Sequence, residues 1–194
     1  KNLKIYPKLI SIYNYKKYQS KKIILKDNNI VLRVSDLKSL TDSLFYKENK
    51  FFFDNLNIKI TDENQPIIRI ENIKFTNFGY NKNLITGKVF GKKFKTKINN
   101  NFRNINFKLV DSGISADIDF DENQNKNSKN GIFKSKILNT SLKLNFSYND
   151  KKLKLYNSYF RNKNLSFKNS NELVLEPFLD LRSKFQIEEF NTKI

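Results

Sequence analysis

Apolar residues occupy every second position through the middle of the chain, from Arg103 to Leu155. Near the start of this stretch, Ile105 and Phe107 alternate with Asn106 and Lys108. Successive side chains of a β-strand point to opposite faces, so the alternation predicts strands with one apolar and one polar face. The apolar face must contact something, and whether that partner is protein or lipid decides the function.

The same alternation resumes after two turn signals, Ser112-Gly113 and Asn149-Asp150. The apolar residues that keep the phase form a candidate lining for acyl chains: Ile105, Phe107, Leu109, Ile114, Ala116, Ile118, Phe120, Leu142, Leu144, Phe146, Leu153 and Leu155. The alternative is that these side chains form an ordinary core against each other or against a second sheet.

Strand patterns recur at short intervals along most of the chain and are joined by short polar turns, which favours antiparallel pairing. We therefore predict a mainly β fold: a long curved antiparallel meander sheet that forms an open groove, with one short α-helix near residues 36–46. The whole chain, 1–194, is expected to be a single β domain and a fragment of a longer protein, because it contains no Met.

Three local features are predicted from residue types. Ser35 is expected to cap the helix and Asp36 to favour its positive end. Asp27 to Asn29 are expected to form the turn of a hairpin. The apolar phase shifts between Ile70 and Ile73, which predicts a β-bulge near Asn72.

The composition excludes several kinds of chemistry. The chain has no Cys and no His, so disulfides, Cys/His metal sites and His- or Cys-based catalysis are impossible. We expect no enzyme activity, no cofactor and no metal. The acidic residues near one strand end, Asp117 to Glu122, lack the spacing of a known calcium loop and are expected to be solvated.

The net charge of +18 suggests an anionic partner, either nucleic acid or a membrane surface. The lysines are scattered along the predicted strands and are not gathered into one arm. This distribution favours a solvated sheet face, and we expect no nucleic-acid partner. A basic nucleic-acid-binding β protein and a structural cell-surface β module remain the alternatives.

Three segments resemble AsmA-type proteins. The first is the Leu-rich helix Val34–Leu40 followed by the strand Phe51–Ile60, similar to the strand, short helix and strand that recur in that family. The second is the hairpin Ile85–Lys95, and the third is Pro177–Phe190, similar to later repeating strands of the family. The resemblance covers most of the chain from Ile23 onward.

This resemblance implies a bacterial envelope protein that carries phospholipids between membranes in a long β groove and supports outer-membrane assembly. It further implies a periplasmic location and attachment to the inner membrane through a segment outside this chain. The expected partners are phospholipid acyl chains and the membrane surface.

Overall fold

A computed structural model describes residues 2–13, 19–45, 48–63, 65–99, 102–122, 128–149, 151–175 and 179–191. A 3₁₀ turn, Val34–Asp36, precedes the second helix. The elements in chain order are β1 (Asn2–Pro7), α1 (Leu9–Ile12), β2 (Ser20–Arg33), α2 (Leu37–Phe45), β3 (Lys50–Asp62), β4 (Gln65–Thr76), β5 (Leu84–Val89), β6 (Lys92–Asn99), β7 (Asn104–Leu109), β8 (Ile114–Phe120), β9 (Ser128–Ile137), β10 (Thr140–Asn149), β11 (Lys152–Arg161), β12 (Leu165–Val174) and β13 (Asp180–Phe190).

The thirteen strands belong to one sheet and follow one another in chain order, from β1 to β13. The sheet is not closed, because β1 and β13 are the two ends of that order. The predicted mainly β meander with one short helix near residues 36–46 is therefore confirmed. The prediction of a single domain stays a prediction.

One pair of neighbouring strands departs from the meander. β2 and β3 are parallel, with Ile23 opposite Phe51 and Ile30 opposite Ile58, whereas the other described pairs are antiparallel. Parallel neighbours need a crossover connection. The segment that contains α2 is this connection.

The hairpin predicted at Asp27 to Asn29 is wrong, because β2 runs through this segment as one strand. Asp27 adopts a left-handed conformation with φ 53°, and so do its neighbours across the sheet, Asn55 (φ 55°) and Asn72 (φ 52°). The Asn55 amide donates to Asp27 Oδ1 at 2.6 Å, and the Asn72 backbone N–H donates to Asn57 Oδ1 at 2.9 Å. The bulge predicted near Asn72 is confirmed, and the pairing of β3 with β4 shifts a second time at Asn55.

By its internal contacts the chain divides into two compact units, residues 1–97 and 98–194. In the first unit, α2 packs against apolar side chains of the strands. Leu44 of the helix is buried in one cluster with strand residues such as Phe53, Leu56 and Phe75. This helix supplies the second layer that a sheet face needs in order to bury its side chains.

The start of the helical segment differs from the prediction in one detail. Ser35 does not cap a backbone group; its hydroxyl faces the Asp36 carboxylate at 3.5 Å. Instead, the Arg33 backbone N–H donates to Asp36 Oδ2 at 3.4 Å. The 3₁₀ turn shifts the capping role by one residue, from Ser35 to Asp36.

Asn77 fixes the end of α2 to the sheet. Its amide nitrogen donates to the carbonyl oxygens of Leu44 and Asn49, each at 2.8 Å, and its Oδ1 accepts the Phe51 N–H at 2.8 Å. One side chain therefore satisfies three backbone groups near the helix C-terminus, where carbonyl groups lack helical partners.

We expect Asn77→Ala to lower the free energy of unfolding by about 1–3 kcal/mol, because three part-buried backbone groups lose their partner. Urea unfolding followed by far-UV circular dichroism measures this change. Asn81→Ala, in the turn that follows, is the matched control and is expected to change stability by less than about 0.5 kcal/mol. Equal stability of the two variants would contradict the role assigned to Asn77.

Among the described residues, no helix is long and apolar enough to cross a bilayer.

Candidate functional site

The strand register of the second unit decides which residues share a face. Direct partners across an antiparallel pair point to the same side. Ile105 pairs with Ile118, Ile118 with Phe133, and Phe133 with Leu144. The same pairings bring all twelve predicted lining residues to one face, hereafter the apolar face: Ile105, Phe107, Leu109, Ile114, Ala116, Ile118, Phe120, Leu142, Leu144, Phe146, Leu153 and Leu155.

The apolar face is only partly covered. Each of the twelve side chains is half-buried, and no hydrophobic side chain described between residues 102 and 191 is fully buried. By contrast, Leu56 in the first unit is 1% exposed beneath α2. In the second unit the strands make their main contacts with neighbours in the sheet, and no described helix or second sheet lies over them.

The register adds apolar residues that the sequence analysis missed. Phe133 lies between Ile118 and Leu144. Phe160 lies opposite Leu142, and its ring stacks on Phe167 with centroids 5.0 Å apart. The row of side chains on this face thus extends from β7 into β13, where Ile187 is the partner of Phe167.

A bulge in β11 explains why Phe160 was missed. Asn157 has φ 45°, and the register shifts by one residue between Leu155 and Ser158. Leu155 and Phe160 therefore lie on the same face although their numbers differ in parity. An Asn in the middle of an alternating run was the only sequence signal of this shift.

Gly131 creates a close contact at the centre of the face. It is the partner of both Phe120 and Phe146, whose rings meet edge to face at 5.8 Å over it. A Cβ atom at this position would overlap the Asp119 carbonyl oxygen and the Phe146 ring. The two aromatic rings therefore shield a backbone that carries no side chain of its own.

A polar band crosses the face in β11, β12 and β13. Ser158 is fully buried and accepts the Asn145 N–H at 3.2 Å. Asn169 lies opposite Ser158, and its Oδ1 is buried with no hydrogen-bond partner among the described residues. Beside them, the Ser183 hydroxyl donates to Asn171 at 2.6 Å. The apolar lining is thus continuous over β7 to β10 and is interrupted farther on.

The opposite face is polar. Asn106 donates to Asp117 at 2.6 Å across β7 and β8, and Asn104 donates to Asp119 in the same way. Lys168 forms an ion pair with Glu188 at 2.5 Å, and its hydrogen bond lowers the pKa of that carboxyl group. Among the described residues, no cluster of acidic side chains could hold a metal ion.

Comparisons with protein-family models, with curated proteins and with solved structures find no match to this chain. The resemblance to AsmA-type proteins therefore stays a prediction from the sequence. Two residues of the third resembling segment, Pro177 and Phe178, lie outside the described part of the chain.

Proposed function

We propose that the second unit binds phospholipid acyl chains on its apolar face and allows them to move along it, without catalysis. The observation that carries this proposal is the partial exposure of a continuous apolar lining on β7 to β10. A large contiguous apolar patch that protein does not fully cover is typical of an interaction site.

The energetics of acyl-chain binding suit a surface without specific contacts. Each buried CH₂ group contributes about 0.8 kcal/mol, so several methylenes suffice for binding. An unpaired polar group facing hydrocarbon costs about 1–3 kcal/mol. The lining on β7 to β10 avoids this cost at Ser135, because the Ser135 hydroxyl on the same face donates to the Ser115 carbonyl oxygen.

The dimensions also suit a lipid chain. The uninterrupted apolar lining covers four strands, β7 to β10, and at about 4.8 Å spacing it is about 14 Å long. One leaflet of a bilayer is about 15 Å deep, half of the hydrocarbon core. The lining is therefore about as long as the part of one acyl chain that spans a leaflet.

The same proposal assigns the chain to the bacterial periplasm, attached to the inner membrane through a segment outside this chain, in support of outer-membrane assembly. The AsmA resemblance supports this location. The charge of +18 supports contact with an anionic membrane surface, because basic residues are attracted to anionic headgroups.

The test is lipid analysis of the chain purified without detergent. We expect glycerophospholipid to co-purify and to be identified by mass spectrometry, and the lipid-free chain to extract labelled phosphatidylglycerol from vesicles. Extraction should persist in 0.5 M salt, since apolar burial is not screened. A chain that carries no lipid and extracts none would contradict the proposal.

The same experiment separates the two alternatives. A nucleic-acid-binding protein would bind DNA or RNA with an affinity that falls steeply with salt. A structural module would bind neither lipid nor nucleic acid.

A further inference from the structure

Three connections of the first unit lie at the same end of its strands. The register places the end of β1 beside the start of β2, the start of β2 beside the start of β3, and the start of β3 beside the end of β4. The first two connections touch, because Lys8 forms an ion pair with Glu48 at 3.2 Å. We call this the basic end; its connections are the sequence segments 8–19, 46–49 and 77–83.

Large apolar side chains are exposed at the basic end. Ile10 is 88% exposed in the short helix α1, and its neighbour Leu9 is exposed as well. Tyr13, just after this helix, and Tyr80, in the connection after β4, are fully or almost fully exposed. Exposed apolar side chains that occur together are typical of a contact with a partner or a membrane. Aliphatic side chains beside tyrosines suit the surface of a bilayer, where tyrosine rings lie at the level of the headgroups.

Two lysines lie side by side at the same end. Lys22 and Lys50 are direct partners on β2 and β3. Both ammonium groups lie over the ring of Phe78, at 5.2 and 5.6 Å from its centroid. This cation–π contact holds two like charges close together. Neither lysine forms an ion pair among the described residues, so the two charges can be neutralised by an anionic partner.

The positive charge is confined to one end of these strands. The three segments of the basic end contain five lysines and one acidic residue, Glu48. The segments that leave the strands at the opposite end, 34–36, 63–64 and 90–91, contain two acidic residues and no basic residue. An anionic surface therefore attracts the basic end and not the opposite end.

We propose that the basic end docks on an anionic bilayer surface. Ile10 and Tyr80 insert among the headgroups, and Lys22 and Lys50 bind lipid phosphates. The inference rests on the proposed function and places its membrane contact on the first unit, whereas the lipid lining belongs to the second. Attraction of lysines to anionic lipids and burial of apolar side chains together determine how strongly such a surface binds. A nucleic acid would use the lysines but would leave Leu9 and Ile10 in water, so the observations favour a bilayer.

Ile10→Asn tests the insertion. We expect the variant to bind vesicles of equal parts phosphatidylcholine and phosphatidylglycerol about tenfold more weakly than the wild type, because it buries one aliphatic side chain less. Co-sedimentation with sucrose-loaded vesicles at physiological salt measures the affinity. Phe90→Asn is the control. Phe90 is 83% exposed at the opposite end, and its left-handed backbone, with φ 50°, suits Asn. This variant is expected to bind like the wild type.

A pair of charge removals tests the lysines. Lys22→Gln combined with Lys50→Gln is expected to weaken binding to the same vesicles about tenfold and to leave binding to pure phosphatidylcholine unchanged. Lys92→Gln combined with Lys93→Gln removes two exposed charges near the opposite end and is expected to have little effect. Far-UV circular dichroism checks that all variants keep their strands.

A tryptophan probe reports the insertion directly. The chain contains no Trp, so Ile10→Trp gives a protein whose tryptophan emission comes from this position alone. We expect the emission to move to shorter wavelength when phosphatidylglycerol vesicles are added, as the indole leaves water. Phe90→Trp, at the opposite end, is expected to show no such shift.

Three results would overturn the inference: a wild-type chain that does not bind these vesicles, equal binding by Ile10→Asn and Phe90→Asn, and an unchanged emission of Ile10→Trp on vesicles that the chain does bind. Failure of the proposed function looks different. A chain that docks on vesicles but neither carries nor extracts lipid contradicts lipid binding by the apolar face alone. A chain that carries lipid but does not dock contradicts the basic end alone.

Discussion

Ile118→Lys is expected to reduce lipid loading at least tenfold while leaving the strands formed. Ile118 lies between Ile105 and Phe133 on the apolar face. A lysine there places an ammonium group among acyl chains, and transfer of an unpaired charge from water into an apolar environment is strongly unfavourable. Because the position is only half-buried, the lysine of the lipid-free chain reaches water and the fold tolerates it.

Asn106→Lys is the matched control for this prediction. It adds the same charge on the neighbouring strand, but on the polar face opposite Asp117. Lipid per chain, measured by mass spectrometry after detergent-free purification, should stay at the wild-type level. If Ile118→Lys and Asn106→Lys carry equal amounts of lipid, the apolar face is not where lipid binds.

Leu56→Ala is expected to lower the free energy of unfolding by about 2–5 kcal/mol, the usual range for a leucine truncated in a packed core. Leu56 is 1% exposed and belongs to the cluster beneath α2. The neighbours of the lost side chain include Ile73, its partner on β4, and the cost includes the cavity that they leave unfilled. Urea unfolding followed by circular dichroism measures the loss.

Ile67→Ala is the control for the core prediction. Ile67 is 55% exposed on β4, and its truncation is expected to cost less than about 0.5 kcal/mol. Similar losses for the two variants would mean that the cluster under α2 is not the main source of stability in the first unit. Neither variant changes the apolar face of the second unit, so lipid loading of the folded protein should stay unchanged.

The alternation predicted the strands well because side-chain direction in a strand depends only on local geometry. β7, β8, β10 and β11 all lie where the apolar phase placed them. The phase fails where a single residue enters the left-handed region, because the bulge then shifts every later side chain to the other face. This is why the alternation does not find Phe160 beyond Asn157. The residue types of Asp27 to Asn29 predict a turn, whereas Asp27 occupies the left-handed region inside a continuous strand.

The face on which Phe133 lies and the parallel pairing of two strands depend on strand register and on long-range packing. A local sequence pattern does not determine either of these. Ile132 and Phe133 are adjacent apolar residues, and only the pairing of Gly131 with Phe120 decides that Phe133 lies on the apolar face. The parallel pairing of β2 with β3 was missed for the same reason, since it depends on where α2 crosses the sheet. The twelve candidate lining residues do lie together, but their partial exposure depends on which strands α2 covers.

The strictly sequential strand order has a consequence for how such a chain can change in evolution. In the second unit each strand depends mainly on the strand before it and the strand after it. Duplication or loss of one hairpin would therefore lengthen or shorten the unit by about 10 Å without rearranging the rest, as in repeat proteins whose units stabilise only their neighbours. The length of this unit would then be set by how many hairpins its gene encodes.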